Sequence, residues 1–599
     1  MIKLSDYVIN FLVEKGIRDI FLVSGGGIMH LIDSVGRNKK IKYISNYHEQ
    51  ASAICAESYA RMTNHISACL VTTGPGGTNA ITGVAGAYLD SIPMIVISGQ
   101  VRREIIADYK KLRQLGPQEI NIIDIVKPIT KYAETVMDPQ KIRYHLEKAY
   151  FLAITGKPGP IWLNIPLDVQ GSYINENKLK LFMPPAKRET ASDVRKKAIQ
   201  TIKMLQKAKR PVMILGNGVR LAHGEDLIDK LVNKLNIPIL LPFNGLDLIP
   251  YSHPLLAGKF GPVGQRRGNF ALQNSDLILS IGASLNISST GFNFKGFAPK
   301  ATKIMVNIDK EELTKNTLKI DLAIESDAKE FIVELLCQME NYKLKPVKQW
   351  IDTMKYWRKK YPDIIPEFFK DKKHVNSYVL FDKLSDLLTN HDTVVTGNSL
   401  DAIGLYQALR VKKEQRAYTN ANLGPMGWCL PSAIGACVGN KRKRTILVTG
   451  DGSIQFNIQE LNTISYYKLP IKIFILNNEG YESIRSTQTN YFSSRFVGAD
   501  KRSGVVNPDF AQLAQAYHMD YEIIHNNNEL TPKLKKVLTT SSPTICEINL
   551  SPTQGRNPKT ASFKRPDGTL ESKPLEDMYP FLPREEIQKN MHLFDKGKV

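Results

Sequence analysis

The chain has 599 residues, too many for a single core, and a prior of about 150 residues per domain points to three or four domains. Its net charge is +22, from 80 Lys and Arg against 58 Asp and Glu, yet the basic residues are spread along the chain without an aromatic-interleaved stripe, which argues against a nucleic-acid partner. No apolar run reaches the ~18–20 residues of a membrane span and the N-terminal MIKLSDYVIN has no signal-peptide core, so a cytoplasmic protein without a membrane partner is expected.

The first third alternates short apolar runs with helical patterns. IFLVSGGG (20–27), IKYISNYHEQ (41–50), SACLVTTGPGG (67–77) and MIVISGQ (94–100) each read as a strand running into a turn or helix. The stretch 166–189 loses this periodicity and reads as a linker. The rhythm restarts with a helix around 191–208, then PVMILGNG (211–218), a helix near 225–235, IPILLPF (237–243), DLILSIGA (276–283) and TKIMVNID (302–309). A charged stretch, 341–363, separates this unit from a third, which holds TVVTGN (393–398), TILVTGDG (445–452), IKIFILNN (471–478) and TICEINL (544–550). From Pro552 the tail is polar. The expectation is three doubly wound α/β domains with parallel sheets, at 1–170, 190–340 and 372–553, followed by a tail at 554–599. The first and third units look alike in rhythm and size. None of the six cysteines forms a CxxC pair and most sit in apolar segments, so they read as reduced core thiols.

The GDGS sequence at 450–453 carries the first chemistry. A helical stretch follows Asp451, then a second strand, and Asn478 lies 27 residues beyond Asp451. A right-handed β-α-β crossover makes the two strands parallel, and neighbouring strands lie about 4.8 Å apart. Asp451 and Asn478 would then share the carboxyl edge of a sheet, where ligands of open α/β sheets bind. One carboxylate and one amide oxygen suit Mg²⁺ or Ca²⁺ with positions left for phosphate oxygens. Taken alone, GDG is a turn; its pairing with the NN of 477–478 favours the metal.

GDG followed by NN at this spacing resembles the metal–diphosphate motif of thiamine-diphosphate enzymes. YHEQASAICAESYAR (47–61) resembles that family's pyrimidine-side signature. TTGPGGTNAITGVAGAYLDSIPMIVISGQ (72–100) and NLGPMGWCLPSAIGA (422–436) resemble its acetolactate (acetohydroxyacid) synthase branch. The resemblance covers nearly the whole chain, in the order pyrimidine-binding, central and diphosphate-binding domain. It implies that Asp451, Asn478 and the Gly480 carbonyl hold Mg²⁺, and that Gly397, Asn398, Ser399, Gly424, Gly450, Gly452 and Ser453 line the thiamine diphosphate pocket. It makes Glu49 the carboxylate that stabilises the imino tautomer of the aminopyrimidine, so that the thiazolium C2 proton can leave. Taken alone, Glu49 is a carboxylate in the first turn of a helix, favoured there by the dipole. Met426 matches the apolar prop beneath the cofactor, although it reads equally as a core methionine. Gln118 matches an active-site glutamine. The resemblance also implies a homodimer or homotetramer with active sites between subunits.

The departures lie on the acceptor side. Where the family's central domain carries GARFDDRVTG, this chain has GASLNISSTG (282–291), so the flavin-associated arginine is Ser284 and the carboxylate-gripping arginine is Ser288. A tryptophan position is Thr487, a phenylalanine position is Pro117, and a diphosphate-contacting histidine is Ser399. A serine cannot replace a bidentate arginine clamp. The pattern favours decarboxylation of pyruvate or a similar 2-keto acid and transfer of the two-carbon unit to another small-molecule carbonyl acceptor. The tail 565–583 resembles acetolactate-synthase-like proteins of surface-polysaccharide pathways, which points to a keto group of a nucleotide-linked sugar. Acetolactate formation and a non-catalytic homologue remain the alternatives. FAD is left open: Gly216, Gly218 and FGPVGQRRGN (260–269) resemble the flavin region, with Arg266 and Arg267 as candidate phosphate ligands. Arg266 and Arg485 are also the arginines from which a replacement carboxylate clamp is sought.

Overall fold

A computed structural model describes residues 1–185 and 191–591. Three six-stranded sheets dominate it, all of their paired strands parallel. The first runs Lys42–Ser45, Asp19–Leu22, Ser67–Val71, Met94–Gln100, Pro160–Pro166, Tyr132–Thr135 across the sheet. The third runs Ala417–Tyr418, Thr393–Thr396, Thr445–Gly450, Ile471–Asn477, Thr544–Asn549, Asp520–Ile524. Numbered along the chain within each sheet, both read 2-1-3-4-6-5. The likeness of the first and third units therefore extends to their topology. The central sheet reads 3-2-1-4-5-6, with Pro211–Leu215 beside Leu277–Ile281 at the reversal. A doubly wound sheet binds ligands outside its carboxyl ends where the strand order reverses. That rule singles out the ends of Thr393–Thr396 and Thr445–Gly450 in the third domain, and of Pro211–Leu215 and Leu277–Ile281 in the central one.

Central strands are mostly apolar and buried because helices cover both faces. Met94–Gln100 and Pro160–Pro166 are buried along their whole length. Helix Glu49–Thr63 of the first domain packs on helix Cys429–Gly439 of the third so closely that a Cβ on Gly435 would stand 2.1 Å from the Cys55 carbonyl oxygen. Five of the six cysteines are buried and all are free. No described helix is long and apolar enough to cross a membrane.

Three segments depart from the sequence reading. The stretch 166–189 begins as part of the first domain: helix Leu167–Gly171 is followed by Tyr173–Ile174, which pairs antiparallel with Ile2–Lys3, while 186–189 lie outside the described residues. The charged stretch 341–363 contains helix Lys348–Lys360, which buries Trp350, Met354 and Trp357 against Phe270 and its neighbours in the central domain. The tail folds back onto that same cluster through Leu575, with Met578 and Ile587 also buried, and its last residues, 592–599, lie outside the described residues.

Candidate active site

Strand Thr445–Gly450 pairs in parallel with Ile471–Asn477, Gly450 opposite Leu476, so Asp451 and Asn478 emerge side by side. Asp451 is 2% exposed. Its Oδ2 accepts from Asn478 N at 3.1 Å, Gly480 N at 2.9 Å and Asn507 Nδ2 at 2.7 Å, and its Oδ1 from Gly452 N at 2.8 Å. Burial pushes this carboxyl up; the four donors oppose it. Asn478 is also buried, and its Oδ1 has no partner; neither has Asn507 Oδ1. A buried polar atom without a partner costs roughly 1–3 kcal/mol, which a bound cation removes. Gly480 has φ +121, a conformation glycine adopts without strain. No heavy atom lies within 4 Å of a Cβ placed on Gly450, whereas one on Gly452 would strike the Tyr481 ring at 2.2 Å. Among the described residues no group of three or more His, Cys, Asp or Glu could hold a metal. One carboxylate with neutral oxygens fits Mg²⁺ completed by diphosphate and water.

The neighbouring loop is tied to this edge. Asn398 Nδ2 donates to the Gly424 carbonyl at 2.5 Å, and Gly427 N donates to Ser453 Oγ at 3.1 Å. Asn457 Nδ2 holds the Gly427 carbonyl at 2.9 Å. Gly424 and Gly427 both have positive φ, and Met426 lies half-buried between them. The buried Asp401 carboxylate accepts from Gly397 N at 2.7 Å and Ser399 N at 2.8 Å, fixing that turn. The structure thus gathers Gly397, Asn398, Ser399, Gly424, Met426 and Gly450–Ser453 around the same strand ends.

Glu49 opens helix Glu49–Thr63, capped by His48, whose Nδ1 accepts from Gln50 N. Glu49 Oε2 accepts from Asn79 Nδ2 at 2.9 Å, and a Cβ on Gly76 would stand 3.5 Å from Oε1. Gly74, φ +67, packs so tightly on the Gln118 carbonyl that a Cβ would stand 2.1 Å from it. Glu49 and the Gln118 backbone thus flank Gly76 and Gly74 at the start of helix Pro75–Leu89, with the Gln118 side chain exposed. Among the described residues no hydrogen bond joins Glu49 or Gln118 to residues 450–453 or 478–480 of the same chain.

On the acceptor side, Ser288 Oγ donates to Asn286 Oδ1 at 2.6 Å, and Asn286 Nδ2 to Asn422 Oδ1 at 2.8 Å. Neither replacement arginine is available. Arg485 donates to the carbonyls of Asn478, Glu479, Ala499 and Pro552. Arg266 donates to those of Met578 and Pro580. Arg267 pairs with Asp363 at 2.9 Å, so neither Arg266 nor Arg267 lines the central cavity as a phosphate ligand. That cavity, about 1020 Å³, lies at the reversal of the central sheet. Gly216 and Gly218 close on Gly282, with no space for a Cβ. Its size and glycine walls fit a dinucleotide such as FAD, with Asp309 and Glu325 among the lining residues. Two site residues, Asn507 and Asn422, went unseen in the sequence reading. Asn507 lies in a loop without pattern, and Asn422 heads the NLGPMG motif but carries no chemistry on its own.

Fold and site together define a three-domain α/β protein whose third sheet gathers a buried carboxylate, amide oxygens and glycine turns at one strand edge. Comparison with known proteins agrees. Residues 2–125 match the thiamine pyrophosphate enzyme N-terminal TPP binding domain, 199–335 its central domain and 402–548 its C-terminal TPP binding domain. The chain is 31% identical over 569 residues to the acetolactate synthase large subunit of Cyanidium caldarium, covering 93% of this chain and 94% of that protein. It is 32% identical over 543 residues to that of Buchnera aphidicola, covering 88% and 91%. To acetolactate synthase isozyme 3 large subunit of Escherichia coli it is 30% identical over 553 residues, covering 90% and 92%. The chain belongs to the thiamine-diphosphate enzymes, in the acetolactate synthase large-subunit family, and is a thiamine-diphosphate-dependent carboligase.

Proposed function

We propose that this protein decarboxylates pyruvate or a similar 2-keto acid and joins the two-carbon unit to a neutral carbonyl acceptor, a keto group of a nucleotide-linked sugar being the class we favour. The observation that carries the reading is the Ser288–Asn286–Asn422 chain of hydroxyl and amides where a cation would be needed, with Arg266 and Arg485 both spent on backbone carbonyls. When bound, thiamine diphosphate supplies the carbon nucleophile that lets CO₂ leave. Asp451, Asn478 and Gly480 would hold Mg²⁺ and through it the diphosphate. Glu49 would hold a proton at the aminopyrimidine ring nitrogen, with Asn79 fixing its carboxylate. Met426 would support the bent cofactor, and Gln118 would face the substrate. Following the family's arrangement, in which the pyrimidine-binding domain of one subunit faces the diphosphate-binding domain of another, we place each site between two copies, in a homodimer or homotetramer. FAD in the central cavity and a cytoplasmic location belong to the same proposal.

Acetolactate formation is the second reading, favoured by the names of the relatives. A non-catalytic role is disfavoured by the presence of Glu49, Asp451 and Asn478 together. Incubation with isotope-labelled pyruvate, with and without a neutral keto sugar, separates the readings by product.

A further inference from the structure

Arg556 lies in the C-terminal tail, shortly after the last strand of the third domain to appear in the chain, Thr544–Asn549. Its Nη2 donates to Ser483 Oγ, and that hydroxyl stands 2.9 Å from Ser399 Oγ. Ser399 follows the Gly397-Asn398 turn pinned by Asp401, and Ser483 is the second residue of helix Glu482–Tyr491, which begins just past Gly480. Three segments distant in sequence thus converge beside the metal loop. A guanidinium has five N–H donors. Among the described residues Arg556 makes this one hydrogen bond and no ion pair, whereas Arg485 is covered by carbonyls. Glu482, 8% exposed, adds a buried acidic group with an unpartnered Oε2.

We propose that Arg556 is a diphosphate-binding residue, its guanidinium meeting the phosphate oxygens beside Ser399 and Ser483. Ser399 and Ser483 offer hydroxyls but no charge, so of the three side chains that converge here Arg556 alone brings a positive charge that would act beside the Mg²⁺. The planar fork of arginine matches phosphate geometry. The inference rests on the diphosphate lying at Asp451 and Asn478.

The test is calorimetric affinity for thiamine diphosphate with saturating Mg²⁺, on the full chain, for wild type, Arg556→Ala, Arg556→Lys and Asp451→Ala, with the unfolding midpoint of each cofactor-free protein. Arg556→Ala should bind roughly 10- to 100-fold more weakly, the span expected for a hydrogen bond to a charged group. Arg556→Lys should recover part of that loss, with unfolding midpoints unchanged. If Arg556→Ala and Arg556→Lys both bind as wild type while Asp451→Ala does not, Arg556 does not touch the diphosphate. If Arg556→Ala fails to fold, a wild-type affinity in Arg556→Lys together with unchanged affinity in Arg556→Gln overturns the charge role. If Asp451→Ala also binds as wild type, the placement of the diphosphate itself fails, and this inference with it.

Discussion

Asn478 donates its backbone N–H to Asp451 Oδ2 over 3.1 Å while its own Oδ1 stays buried without a partner. On the proposed reading the two residues would form half of a Mg²⁺ site. Loss of groups that only orient a metal ligand typically costs about 10–100-fold in affinity. Asn507→Ala, which removes one donor from Asp451, should weaken Mg²⁺-dependent cofactor binding within that span, and Asp451→Ala should weaken it by more. Calorimetry on folded variants checks both; an Asp451→Ala protein with wild-type affinity removes the metal assignment.

Glu49→Gln should keep the cofactor and lose chemistry. A neutral amide cannot make the charge-assisted bond that stabilises the imino tautomer. Deuterium exchange at the thiazolium C2 is the readout. It should fall by orders of magnitude, with cofactor affinity within a few-fold of wild type.

Sites shared between copies predict complementation. Inactive Glu49→Gln and inactive Asp451→Ala, dissociated and mixed, should regain activity, because a mixed dimer holds one site with both groups intact. Activity that stays at background in verified mixed dimers would place Glu49 and Asp451 of one chain in the same site.

Much of this site was legible because parallel neighbouring strands deliver residues to one edge. The spacing from Asp451 to Asn478 is the length of one helix and one strand. Arg556 was not legible, since its neighbours Ser399 and Ser483 are brought to it only by tertiary folding. The edge strands Tyr132–Thr135 and Asp520–Ile524 were missed because half-exposed sequences such as YAET carry no apolar run. Helix Lys348–Lys360 had a usable signal, Trp350, Met354 and Trp357 at helical spacing, which its charge obscured. The arginines Arg266 and Arg485 looked free in sequence because carbonyl partners leave no sequence trace.

Lys259 predicts a pH effect on stability. It is 2% exposed, donates to the Leu409 carbonyl at 3.2 Å, and burial lowers its pKa from 10.5 to about 7. A depressed folded-state value means the contribution to stability is present above the unfolded value, 10.5, and is lost as pH falls through about 7. Lys259→Met should therefore stabilise the protein below pH 7, by on the order of 2–4 kcal/mol, and by progressively less towards pH 10. Unfolding midpoints across that range check it; an equal shift at all pH values would contradict it.

Ser288→Arg tests the acceptor side. Losing a hydrogen-bonded charge pair costs about 2–5 kcal/mol, which at about 1.4 kcal/mol per tenfold is roughly 30- to 4000-fold in rate. Wild-type acetolactate production from pyruvate alone should be slow, and the added arginine should raise it. Ser288 is exposed, so the longer side chain has room.

The most direct test of the account is a competition. Wild-type protein with Mg²⁺, thiamine diphosphate and labelled pyruvate is offered a neutral keto sugar, nucleotide-linked and free in separate reactions, at the concentration of pyruvate, and all labelled products are quantified. The account predicts that the branched-sugar product takes most of the two-carbon unit and acetolactate a minor share. Acetolactate as the sole product, formed as fast without the sugar as with it, would contradict the account.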